Sequence, residues 1–105
     1  MTTDTLSPVT LTTKANVYFD GKCVSHSFTT ASGEKKSVGV VLPATLNFGT
    51  AVAESMECVA GSCRYRLKDS AEWKTAHAGE SFHIPANSSF DIEVAEAFHY
   101  ICHYA

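Results

Sequence analysis

The sequence predicts an all-β, single-domain protein, a small β-barrel or jelly-roll-like sandwich. Three observations lead there. The chain has 105 residues, which is room for one domain. Turn signals recur along it at mostly about 8–16 residue spacing, as short strands in a sandwich or barrel require. Several segments alternate apolar and polar residues with period two, the mark of strands with one face in a core.

Taken in order, residues 1–14 hold six threonines among the first thirteen positions, with one proline and no lasting periodicity. They read as a Thr-rich N-terminal tail or an early edge strand, leaving 15–105 as the folded domain. From Asn16 onward short apolar alternations are punctuated at Asp20-Gly21, Ser32-Gly33, Phe48-Gly49, Ala60-Gly61, Lys68-Asp69-Ser70, Ala78-Gly79 and Pro85-Ala86-Asn87. Leu46, Phe48 and Thr50 would share one strand face. Local propensity calls Ala51 to Ala60 helical. The segment nevertheless lacks a 3.6-residue stripe and is bracketed by Gly49 and Gly61, so a turn followed by a strand is expected. Cys63, Tyr65 and Leu67 alternate with Arg64 and Arg66, and Phe90, Ile92 and Val94 with Asp91 and Glu93. Phe98, Tyr100, Cys102 and Tyr104 form a last row, opposite His99, Ile101 and His103.

Composition narrows the function classes. A hydrophobic share of 45% against 18% charged residues suits a folded globular chain and excludes overall disorder. Eight Lys and Arg against eleven Asp and Glu give a net charge of −3, which counts against a nucleic-acid partner. No apolar run approaches the roughly 18 residues of a membrane span. The N-terminus has neither a basic start nor an apolar core, so no signal peptide is read and a cytoplasmic location is expected. In that reducing setting Cys23, Cys58, Cys63 and Cys102 are expected as buried thiols. The Cys58-x4-Cys63 spacing does not supply the short pairs of a zinc site.

Two stretches carry a known pattern. Gly79-Glu-Ser-Phe-His-Ile-Pro85-Ala-Asn87-Ser-Ser-Phe90 has the spacing G-x5-P-x-(G/N), which resembles the second cupin motif. Glu54, seven residues before Gly61, resembles the end of the first. Gly79 would make one tight turn and Pro85-Ala86-Asn87 the next, Asn tolerating a left-handed residue. Where metal-binding cupins place their first two histidines this chain has Phe48 and Thr50, and where they place the third it has Phe90. Of the four ligand positions only Glu54 keeps a metal donor of the usual kind. The resemblance is therefore to a metal-free cupin, and no metal or other cofactor is expected.

A closer likeness runs through Asn16-Val-Tyr18-Phe19-Asp-Gly21-Lys22, Ser37-Val38-Gly39-Val40, Glu54-Ser-Met56, Trp73, Ala78-Gly79, Pro85 to Phe90 and Tyr100-Ile-Cys102-His103-Tyr104. In that joint order, over residues 16–105, the chain resembles the small cupin-type pyrimidine/purine nucleoside phosphorylases of bacteria. The resemblance implies cleavage of many nucleosides by inorganic phosphate as co-substrate, giving free base and pentose 1-phosphate, in a small homo-oligomer expected to be a homodimer. Two departures stand out. The family's terminal strand carries Arg where His103 stands, and its proline turn reads P-G-H-S where this chain has Pro85-Ala86-Asn87-Ser88.

Phosphorolysis passes through an oxocarbenium-like transition state, as glycoside hydrolysis does, with phosphate as the nucleophile. The protein must position phosphate and stabilise developing charge, and it needs no activated Ser or Cys. Glu54 is the candidate catalytic residue, binding ribose hydroxyls or steadying the sugar cation; the alternative is a solvated turn carboxylate. Phe48 and Phe90 would form an apolar floor that stacks on any base, or plain core. Thr50 would donate to phosphate or ribose, or be an ordinary strand threonine. His83 would act as acid toward the base, or be a structural histidine. Ser37, Lys36 and His103 are the phosphate candidates, drawn from a set that includes Lys35, Arg64 and Arg66. Tyr18 and Trp73 are expected to pack an edge or a subunit contact.

Two other readings stay open on the residues alone: a non-catalytic, metal-free cupin holding a sugar, nucleotide or other small ligand, and an OB-like barrel binding RNA. The enzyme differs from the binding module in needing an anion site within about 3 Å of a sugar carbon. The acidic balance makes the RNA barrel the weakest of the three.

Overall fold

Alternation at the strand level decides which side chains meet. The computed structural model describes residues 4–104. Its strands, in chain order, are β1 (Val9–Leu11), β2 (Asn16–Tyr18), β3 (Cys23–Thr30), β4 (Lys35–Val41), β5 (Ala44–Gly49), β6 (Glu54–Ala60), β7 (Ser62–Leu67), β8 (Lys74–His77), β9 (Ser81–Ile84), β10 (Ser89–Val94) and β11 (Phe98–Tyr104), with a 3-10 turn at Phe19–Gly21 between β2 and β3. The larger sheet runs β1-β3-β4-β11-β6-β9, with β2 also on β3, and the smaller runs β5-β10-β7-β8. The described pairings are antiparallel, so each strand can turn one face inward and leave the other outside.

The inward rows are those the sequence pattern marks out. Ile92 and Val94 of β10, Cys63 of β7, Leu46 of β5 and Phe98, Tyr100 and Cys102 of β11 are all buried in one core cluster with Met56, Cys58, Phe82 and Ile84. The sheets lock through aromatic contacts across the gap. Tyr65 stacks on Phe82 at 3.9 Å between ring centres, and Phe82 meets Phe90 edge-on at 6.0 Å. Contacts of this kind contribute about 0.5–1.5 kcal/mol each beyond the area they bury. On the outside of the smaller sheet Arg64 pairs with Glu93 and Arg66 with Asp91, each at 2.8 Å, and both guanidinium groups lie over Trp73. Those two arginines are thereby occupied far from the inner faces.

All four cysteines are buried free thiols. Ala51–Ala60 divides as a turn followed by β6, because burying Met56 and Cys58 against β9 and β11 outweighs helix propensity. Residues 9–11 pair with β3 as an edge strand, and residues 1–3 of the expected tail lie outside the described residues. Asn87 takes the left-handed conformation expected of the Pro85 turn (φ 54°). Gly61 has φ 78°, and a Cβ there would overlap the Ala97 carbonyl oxygen, which is why the end of β6 requires glycine. Among the described residues no helix is long and apolar enough to cross a membrane.

Candidate active site

The space between the sheets narrows to a cavity of about 160 Å³. Its aromatic side comes from β5 and β10, whose register sets Phe48 directly opposite Phe90. Their rings stack at 5.7 Å and 24°. Tyr18 and Phe19 close that end, edge-on to Phe48 at 6.3 and 5.2 Å. Phe19 and Asp20 reach this position with φ of 52° and 55°, a conformation that costs a non-glycine residue of order 1–3 kcal/mol and persists only where packing over-determines it. Tyr18 thus lines the cavity as well as packing the edge.

The polar side comes from three neighbouring strands of the larger sheet. Cys102 on β11 pairs across to Ser37 on β4, and Tyr104 pairs across to Glu54 on β6. Two hydrogen bonds cross this square diagonally: Ser37 Oγ with the Tyr104 hydroxyl at 2.9 Å, and the Cys102 thiol donating to Glu54 Oε1 at 3.5 Å. Burial holds the Glu54 carboxyl above the usual carboxylate range, a rise that the thiol's hydrogen bond opposes. Burial also pushes the Cys102 thiol and the Tyr104 phenol up to about 12 each, so both carry their protons at neutral pH. The cavity therefore offers one carboxyl facing neutral donors, across from a stack of aromatic rings.

A second, outer cleft of about 460 Å³ adjoins it. Glu54 and Tyr104 border both spaces, and the cleft adds His83, Pro85 and His103. Strand parity places the predicted anion residues on two sides of one sheet. Ser37 is buried on the inner face, whereas Lys36 and His103 lie on the outer face, joined by a 2.6 Å contact between Lys36 Nζ and His103 Nδ1. The lysine ammonium can only donate there, so Nε2 carries the ring proton and donates to Glu57 at 2.9 Å. His83 is exposed at the cleft.

Thr50 stands elsewhere. Its hydroxyl donates to the Pro85 carbonyl at 2.7 Å and accepts from the Ser88 backbone N–H at 3.0 Å, so it clamps the β9–β10 turn and does not line the cavity. Sequence reasoning passed over Tyr104 and Cys102 as site residues. The signal is the alternating row of β11, which sets Cys102 and Tyr104 on the face of Tyr100. At the four positions where metal cupins gather their ligands, two phenylalanines, a threonine committed to a turn and one glutamate do not make a donor set that fits a metal ion.

The family model described as pyrimidine/purine nucleoside phosphorylase matches residues 13–104. The chain belongs to that family. Membership makes it an enzyme, and the fold and likeness expected from the motifs hold. A pyrimidine/purine nucleoside phosphorylase of Ralstonia pickettii (strain 12J) is 73% identical over all of both chains, and one of Delftia acidovorans 71% over all of both. Among solved structures, a protein of unknown function from Acinetobacter sp. ADP1 superimposes with a TM-score of 0.94 at 44% identity, covering 96% of this chain and 98% of that one. The EutQ protein of Clostridium difficile, at 16% identity and a TM-score of 0.65 over 81% and 70% of the two chains, shares the fold alone. As a nucleoside phosphorylase family member, the chain holds a carboxyl with a pKa raised by burial at Glu54.

Proposed function

We propose that this protein cleaves purine and pyrimidine nucleosides with inorganic phosphate, releasing free base and pentose 1-phosphate. The observation that carries the reading is the cavity that sets the Phe48–Phe90 stack across from the desolvated Glu54 carboxyl. Aromatic faces accept every base alike, since each base has a π-face and stacking does not read its edges. Breadth toward purines and pyrimidines follows from that chemistry.

A cavity of about 160 Å³ is smaller than the roughly 300–1,000 Å³ of usual small-molecule sites, so a nucleoside with its base on the aromatic side extends to the Glu54–Tyr104 rim. At that rim the C1′–N bond breaks with its electron pair leaving on the base. A phosphate oxygen bonds to C1′, and the proton that phosphate brings ends on the base nitrogen. The Glu54 carboxyl, partly desolvated by burial, stabilises positive charge growing on the sugar. Ser37 and Tyr104 supply hydroxyl donors from the inner side. His83 and His103, the latter with Lys36 behind it, flank phosphate from the outer cleft. Thr50 has no part in contacting substrate.

The homodimer belongs to the same reading. Leu6, Val9, Leu11 and Val38 leave an exposed apolar patch on the outside of the larger sheet, suited to a second copy, and sedimentation velocity on the purified chain tests it.

The deciding experiment is release of free base from inosine and uridine, with and without inorganic phosphate, after treatment with a chelator. Phosphate-dependent release from both supports the reading. Release without phosphate would instead mean hydrolysis by water, and no release from a folded protein would mean a binding module.

A further inference from the structure

Glu54 is the residue on which the proposed chemistry turns, and its surroundings raise a question that the reaction alone does not answer. A half-buried carboxylate near developing charge needs a fixed orientation, since effective positioning depends on small displacements. Among the described residues, the hydrogen-bond partner of its side chain is the Cys102 thiol, at 3.5 Å from Oε1. Cys102 is itself nearly fully buried, at 3% exposure, in the inner row of β11 between Ser37 on β4 and Met56 on β6.

We propose that Cys102 is a positioning residue of the active site, whose protonated thiol holds one oxygen of Glu54 and leaves the other for the sugar. The inference rests on the phosphorylase reading for what Glu54 does, but the contact itself can be tested apart from it. The geometry favours this role over plain packing. A sulfur buried only as a small hydrophobe has no need to face a carboxyl, and an S–H next to a carboxylate oxygen is favourable only while the proton stays on sulfur. It does stay there, because burial and the neighbouring carboxyl both oppose the thiolate. The titratable groups around Glu54 are Cys102 and Tyr104 of β11 on the inner side, and His83 of β9 and His103 of β11 around the cleft. Of these, Cys102 is the one in hydrogen-bond contact with it.

The test follows the Glu54 carboxyl carbon by NMR titration, without substrate, in the wild type, Cys102→Ala and Cys102→Ser. Loss of the donor should raise the Glu54 midpoint by roughly half a pH unit or more, and serine should restore it. Turnover with inosine and phosphate should fall roughly threefold to tenfold in Cys102→Ala, recover in Cys102→Ser, and leave KM for inosine little changed. In a Glu54→Gln background, Cys102→Ala should add no further loss. An unchanged Glu54 midpoint in a folded Cys102→Ala variant would overturn the proposal whatever the activity. So would equal losses of turnover with and without Glu54. Wild-type protein without phosphorolysis would instead overturn the functional reading, while the substrate-free titration would still decide the contact.

Discussion

Glu54 and Tyr104 face each other across the β6–β11 ladder, and both border the inner cavity and the outer cleft. The rim where the two spaces meet is thus one carboxyl and one phenol, and the proposed bond breaking lies against it.

Glu54→Gln should lower turnover by at least tenfold, a loss of roughly 1.4 kcal/mol of transition-state stabilisation, while raising stability at pH 8. Burial raises the carboxyl's folded pKa above its unfolded value, so the folded state binds the extra proton. The stability Glu54 gives is full below its unfolded pKa and is lost as pH rises through the folded pKa. Glutamine mimics the protonated form at every pH. Thermal melts at pH 8 should therefore place the variant above wild type, with the gap closing near pH 4. A variant no more stable than wild type at pH 8 would contradict the desolvation argument.

Phe48→Leu should raise KM for inosine and for uridine together, by roughly fivefold to a hundredfold, since a stacking platform contributes about 1–3 kcal/mol per base without reading its edge. Phe48 is only partly buried, so the change spares the core better than a substitution at Phe90. Initial rates over a range of each nucleoside give the comparison. A loss confined to one of the two would point to edge recognition.

Thr50→Val should cost about 1–3 kcal/mol of stability, because it removes two hydrogen bonds at once, one to the Pro85 carbonyl and one from the Ser88 N–H, each contributing about 0.5–1.5 kcal/mol. KM for nucleoside and phosphate should not move at a temperature where the variant is folded. Denaturant unfolding and steady-state kinetics on the same preparation separate the two effects, and a raised KM would return Thr50 to the substrate.

His103→Ala should raise KM for phosphate and leave KM for nucleoside unchanged. His103 stands at the outer cleft and links Lys36 to Glu57, so removing it takes away the group that holds the Lys36 ammonium in place behind the cleft. Phosphate-saturation curves at fixed inosine check it. An unaltered phosphate KM would confine this triad to holding the outer face of the sheet together.

Much of this was legible in the residues. Period-two alternation identified the inner rows of β7, β10 and β11, and the Gly79 and Pro85-Ala86-Asn87 turns took the positions and backbone conformations their residue types favour. Glu54 stood out as the lone donor among the cupin ligand positions, and Phe48 with Phe90 stood out as aromatic replacements. The anion residues were harder. Ser37 and Lys36 are adjacent in the chain, so a strand must send them to opposite faces. Grouping them by charge and hydroxyl chemistry overlooked that parity.

The sequence by itself determined the faces of β7, β10 and β11 and the turns at Gly79 and Asn87, because alternation and the conformations that glycine and asparagine favour act over a few residues. Only the tertiary structure decided which of those faces meet. The Thr50 hydroxyl is committed to a turn 35 and 38 residues away, and the Cys102 thiol reaches a carboxyl 48 residues away. Contacts at such separations depend on sheet order and register, which arise when the two sheets close on one core and leave each inward side chain a single set of neighbours.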